Sequence, residues 1–167
     1  MQIGVCIASH IGDIDYVVEA EALGYSHAWF ADSQMIWSDC YATLSLAAWH
    51  TTNLRLGTGV AIAGTRLAPV TAHSIASINK IAPGRVFLGI GTGHTAMRIM
   101  GHDPVSPSYF REYLRVVRGL LQGEEIEYKL NGQTKPIRFL DRELGCLDIE
   151  HPVPIYVAAN GPRALKA

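Results

Sequence analysis

Charge is scarce in this chain. Charged side chains make up 17% of its 167 residues, and 14 Lys and Arg against 15 Asp and Glu leave a net charge of −1. That balance provides no field to gather a phosphate backbone, so nucleic acid is excluded as an expected partner. No apolar run approaches the roughly 20 residues of a membrane helix, and no membrane segment is expected. The N-terminus lacks the basic region and apolar stretch of a secretion signal. Cysteine is limited to Cys6, Cys40 and Cys146, an odd number without metal-ligand spacing. Reduced thiols in a cytoplasmic protein are therefore expected, with Cys40 and Cys146 as buried structural groups. No lysine follows a glycine loop as in a Walker motif, and no His/Cys/carboxylate cluster suits a metal.

Apolar residues, by contrast, reach 49%. That is the composition of a globular chain, read here as a single domain over 1–167 that buries about 70% of its unfolded surface. Short β-rich runs alternate with helical patterns. The first strand is expected at Ile3 to Ala8, followed by a helix that Asp13 caps and Gly24 stops. Further strands are expected at His27 to Ala31, Leu54 to Ile62, Val86 to Ile90 and Pro154 to Ala158. Between them lie helices at about Asp39 to His50, from Pro69 to the Pro83–Gly84 pair, and from Ser106–Pro107 down a stripe ending at Leu121. Residues 124–141 read as a hairpin-like insertion around Asn131–Gly132. Gly161-Pro162-Arg163 opens a last helix. Gly57 and Gly59 within the third strand mark a bulge or a close backbone approach.

Strands that alternate with helices pair in parallel. Two architectures satisfy that pattern: a five-stranded doubly wound sheet, or a (β/α)₈ barrel of which four and a half units are present. In both, the working residues sit at the C-terminal strand ends. These are Ser9 and His10, Asp32 and Ser33, Gly59 to Ala63, Gly91 to His94, and Ala158 to Gly161. The set is rich in glycine, hydroxyls and imidazole and poor in charge, which suits a flat uncharged ring. His94, His10 and Ser33 are the candidate catalytic groups. His94 is read as a general acid or hydrogen-bond donor, against the plainer reading of a loop histidine. His27, His50, His73, His102 and His151 are read as structural. Arg66 either reaches an anionic cofactor tail or is a surface arginine. Trp29 and Trp49 are expected in the core, and Trp37 as a pocket wall or a loop anchor. Gly91-Thr92-Gly93-His94-Thr95-Ala96 also fits the dinucleotide fingerprint, which keeps a Rossmann domain as runner-up. Against it, Gly101, Pro104 and Pro107 stop any long helix, and the nearest later acid, Glu112, lies inside a helix.

Leu56-Gly57-Thr58-Gly59-Val60, then Pro69, Ala72 and Ala76, then Gly84-Arg85-Val86-Phe87-Leu88-Gly89-Ile90-Gly91-Thr92-Gly93, resemble the luciferase-like flavin oxidoreductases. Pro154-Ile155-Tyr156-Val157-Ala158-Ala159-Asn160-Gly161-Pro162 is similar to the fifth strand of the same family, near methylenetetrahydromethanopterin reductase and deazaflavin-dependent dehydrogenases. The resemblance implies a TIM barrel of about 300 residues or more, of which this chain is the N-terminal part, and FMN or the deazaflavin coenzyme F-420 as cofactor. It implies a cofactor-binding set of Asp32, Gly59, Val60, Ala61, Gly91, Thr92, Gly93, Ala158, Ala159, Asn160 and Gly161, with a non-prolyl cis peptide at Gly59–Val60. A small-molecule substrate and a homodimer follow from the same likeness. Deazaflavin-dependent members often place a histidine where this chain has Ser33, and carboxylates at Cys6 and His94. Those departures favour a monooxygenase using reduced FMN and oxygen. An F-420-dependent reductase or dehydrogenase is the alternative, and a non-catalytic fragment the reading of another class. The phosphate loops of such barrels follow strands seven and eight, so this chain alone is expected to bind flavin weakly and to self-associate through bare edge strands.

Overall fold

The computed structural model describes residues 1–159 and 161. Strands β1 (Gly4–Ile7), β2 (His27–Phe30), β3 (Arg55–Ile62) and β4 (Val86–Gly91) are separated by helices α1 (Asp15–Ala22), α2 (Cys40–His50) and α3 (Ala68–Ile81). After β4 come α4 (His94–Ile99), α5 (Pro107–Leu121), strands β5 (Ile126–Leu130) and β6 (Gln133–Ile137), a 3₁₀ turn at Arg142–Leu144, and β7 (Ile155–Val157). No helix among the described residues is long and apolar enough to cross a membrane.

All five large-sheet strands run parallel, in the order β1-β2-β3-β4-β7. A doubly wound sheet reverses its strand order at a switch point, and this one never does. Consecutive order with right-handed helical crossovers is the winding of a (β/α)₈ barrel, and the doubly wound and Rossmann alternatives fall with it. β5 and β6 form a separate antiparallel hairpin around Asn131 and Gly132, both at positive φ.

Helix boundaries follow local chemistry. Asp39 caps α2 by accepting from Ala42 N at 2.9 Å, and Ser106 caps α5 by accepting from Tyr109 N at 3.2 Å. Gly24 takes φ 84° where α1 must stop. Asp13 is not a cap, because its carboxylate turns instead to His10 Nδ1 at 3.1 Å and α1 starts without a side-chain bond.

One face of the sheet packs on the helices through Ala28, Phe30, Leu56, Val86 and Leu88, against Leu44, Ile75, Phe110 and Leu120. The other face is the lumen. There Trp29 lies 4.3 Å from Phe87 and 5.4 Å from Tyr156, ring centre to ring centre. These rings explain the strand glycines. A Cβ at Gly57 would stand 2.1 Å from the Phe87 ring, and one at Gly59 2.7 Å from Trp29 Cβ. One at Gly89 would stand 2.3 Å from Thr58 O. Trp49, expected in the core, is 76% exposed on α2, and Cys146 is exposed rather than buried. Cys40 is buried with its thiol on Phe30 O.

Candidate functional site

Four strand tips converge on one cleft of about 240 Å³. Asp32 and Ser33 line it after β2, Gly59 and Val60 from β3, Gly91 to His94 at the end of β4, and Ala158 after β7. Each tip reaches the cleft for a local reason. The pairing of β3 with β4 steps from Thr58–Leu88 to Ala61–Ile90, so β3 carries one residue more than its partner and bulges at Gly59–Val60. The Gly59–Val60 peptide is cis. Gly93 holds φ 86° and starts the short helix α4, which sets His94 at the rim. Gly91 leaves the floor open, since a Cβ there would fall 3.2 Å from Val60 Cγ2 and 3.4 Å from Ala158 Cβ.

Asp32 is the electrostatic centre. It is 4% exposed and accepts from Gln34 Nε2 at 2.6 Å, Ile62 N at 3.3 Å and Arg66 Nη1 at 3.1 Å. Arg66 is itself half-buried. Its Nη2 reaches Asp39 at 2.8 Å and its guanidinium lies 4.3 Å over the Tyr41 ring. Burial pushes the Asp32 carboxyl above the usual carboxylate range, against the pull of Arg66 and the Ile62 N–H. Burial pulls Arg66 down, but its two carboxylates and Tyr41 outweigh that and leave it raised. So Arg66 is neither a surface arginine nor free for a cofactor tail. Its commitment was not legible in the sequence, because Asp32 and Asp39 lie 34 and 27 residues away. Gln34 was missed as well; its place two residues after Asp32 was the available signal.

The remaining expected residues separate cleanly. His10 lies off the cleft, its imidazole exposed and paired with Asp13 along the outer flank of β1. Ala61 is 2% exposed and belongs to the helix-facing core, because the bulge shifts the side-chain alternation by one residue. Ala159 and Gly161 are described but do not line the cleft, and Asn160 lies outside the described residues, as does the helix expected after Gly161. Trp37 is 44% exposed in the loop after β2. Thr95 and Ala96 join the lining beyond the expected set.

A larger cavity, about 720 Å³, lies between α3 and residues 138–151. In its wall Arg142 pairs with Glu150 and His151 with Asp148, and no strand tip enters it. The cleft is therefore the stronger site. No group of three or more His, Cys, Asp or Glu among the described residues is placed to hold a metal.

Comparison with known proteins agrees with this geometry. The family model of the luciferase-like monooxygenases matches residues 9–167. The chain belongs to that family. It is 35% identical over 155 residues to a 5,10-methylenetetrahydromethanopterin reductase of Methanolobus tindarius, covering 90% of this chain and 45% of that protein. It is 34% identical over 172 residues to an F-420-dependent glucose-6-phosphate dehydrogenase of Kineococcus radiotolerans, covering 91% and 48%. Among solved structures, the coenzyme F-420-dependent tetrahydromethanopterin reductase of Methanopyrus kandleri superposes with TM-score 0.82 at 25% identity, over 99% of this chain and 52% of that one. The FMN complex of the oxygenating constituent of 3,6-diketocamphane monooxygenase from Pseudomonas putida gives 0.76 at 19% identity, over 98% and 53%, a likeness of fold alone. The chain thus spans about half the length of the curated relatives it matches.

Proposed function

We propose that this chain forms the ring-binding half of a two-electron oxidoreductase that holds a deazaflavin or flavin at its strand tips. The observation that carries the reading is the chemistry of the cleft. Four strands deliver glycines, small side chains, one imidazole and the Asp32 carboxylate to a common wall that, among the described residues, includes no lysine or arginine. A planar, uncharged ring needs close backbone approach on one face and few fixed charges, and this lining provides both. When bound, the cofactor supplies the hydride or electron-pair chemistry. Gly91 and Gly93 keep its place open, and the Ser33 and Thr92 hydroxyls and the His94 imidazole, all in the lining, are available as hydrogen-bonding groups. Asp32, accepting from Gln34 Nε2, Ile62 N and Arg66 Nη1, stiffens the wall.

F-420 is the first choice of carrier, supported by the two relatives at 34–35% identity, one a methylenetetrahydromethanopterin reductase and one named as F-420-dependent. Reduced FMN with oxygen is the second reading, favoured by Cys6, Ser33 and His94 standing where similar deazaflavin enzymes carry other acid–base groups. The protein is titrated with F-420 and with FMN, following quenching of the cofactor's own fluorescence. On this chain alone, saturable quenching is expected only above micromolar concentration, stronger with F-420. Quenching by neither removes the reading.

A further inference from the structure

We infer that the site takes an uncharged, apolar or aromatic substrate, received by a rigid lip on the loop after β2. The inference rests on the oxidoreductase reading above and adds the substrate class to it. Loop 31–39 is inside out. Its polar groups are turned to the protein: Asp32 to Arg66 and Ile62 N, Gln34 Nε2 to Asp32, Asp39 to Arg66 and Ala42 N. Ser38 Oγ accepts from Ile11 N at 3.2 Å and Ser38 N donates to Ser9 O at 2.8 Å, which fastens the neighbouring loop as well. Its large apolar side chains face solvent instead. Met35 is 79% exposed, Ile36 47% and Trp37 44%, and Ile11 on the fastened loop is 47% exposed.

Surface loops ordinarily expose the polar groups and tuck the apolar ones. Slackness does not explain the reversal. The Ile36 and Trp37 amides both donate to Ser33 O, at 3.2 and 3.1 Å, and Met35 holds φ 63°, which a non-glycine residue adopts only where the turn imposes it. Large apolar side chains held out to solvent on a fixed turn mark a binding surface. Continuity says what it binds: Ser33, the first residue of the turn, lines the cleft, so the lip rises directly from the site wall. Charge narrows the class. Among the described residues the cleft lining holds no lysine or arginine, Arg66 is held by two carboxylates, and His10 is paired with Asp13. Among the described residues a phosphorylated or carboxylated substrate finds no free lysine or arginine at the cleft or the lip, whereas a neutral ring or alkyl group finds four apolar side chains.

The test uses two probes of one shape, neutral N-phenyl-1-naphthylamine and its sulfonated form, 1-anilinonaphthalene-8-sulfonate, with the 167-residue chain and no cofactor. The neutral probe is expected to bind wild type at least several-fold more tightly than the sulfonate. It should bind a Met35→Ser/Ile36→Ser variant about tenfold more weakly, with Trp49→Ser unchanged. Equal affinity for both probes, an unaltered lip variant, or a lip variant that turns an oligomer into a monomer in sedimentation would each overturn the inference, the last by showing that another chain covers the lip. Cofactor titration of the same lip variant keeps the two readings apart, since ring binding through Gly91, Thr92 and His94 is expected to survive loss of the lip.

Discussion

Arg66 holds Asp32 across the junction of two loops, with Nη1 3.1 Å from Oδ2 and only 3% of the Asp32 side chain in contact with solvent. The same guanidinium extends to Asp39, the N-cap of α2, so one side chain ties the tips of β2 and β3 to a helix start. Replacing Arg66 by Met strands a buried carboxylate. A loss of about 3–5 kcal/mol in unfolding free energy is expected from urea denaturation. Adding Asp32→Asn should restore a large part of it, and a double variant no more stable than the single one would contradict the pairing.

The lumen sets a second expectation. Because a Cβ at Gly57 would lie 2.1 Å from the Phe87 ring and 2.4 Å from its carbonyl oxygen, Gly57→Ala is expected to cost about 3 kcal/mol or more, or to prevent folding. Gly12→Ala, whose Cβ would meet only the His10 imidazole at 3.4 Å, serves as the mild comparison in the same melts.

Gly91 separates folding from binding. An added methyl meets Val60 at 3.2 Å and Ala158 at 3.4 Å, distances the side chains can absorb, yet both neighbours line the cleft. Gly91→Ala should leave the thermal midpoint nearly unchanged while weakening cofactor binding about tenfold, or about 1.4 kcal/mol. Unchanged affinity in fluorescence titration would place the ring elsewhere.

Glu21 governs part of the acid response. Partial burial pushes its carboxyl up, but the amides of Asn53, Leu54 and Thr52, with Arg85, outweigh that and hold it below the usual range. A lowered folded pKa means stability that is present above the unfolded value and lost as pH falls through the folded one. Glu21→Gln should therefore be less stable at neutral pH, by about 1 kcal/mol after allowance for its exposure, and should converge with wild type in acid. Asp32, raised by burial, acts in the opposite sense: its contribution declines as pH rises through its folded value.

The strand–helix alternation was legible because each element is short and periodic, and the cleft was legible because strand tips carry glycine and hydroxyl residues in every unit. Strand order was not legible in the periodicity, since nothing local in β1 or β4 names its neighbour; the family resemblance already implied the barrel, and the order β1-β2-β3-β4-β7 bears it out. Ala61 was assigned to the site because strand alternation was carried straight through Gly59–Val60, where the extra residue reverses it. Trp49 misled for a different reason. Its helix reads Cys40 to His50 without a lysine, arginine or carboxylate, and such a helix gives no sequence sign of which side meets water. Arg66 found partners that only three-dimensional proximity supplies, whereas Asp13 turned back to His10, three residues before it.

Among the described residues, β1 bonds only to β2 and β7 only to β4, so the sheet has one naked flank at each end. Amide deuteration should advance from those flanks toward the centre. β7 and β1 should exchange first and β3 and β4 last, with β4, buried along its entire length, as the final reservoir of protons.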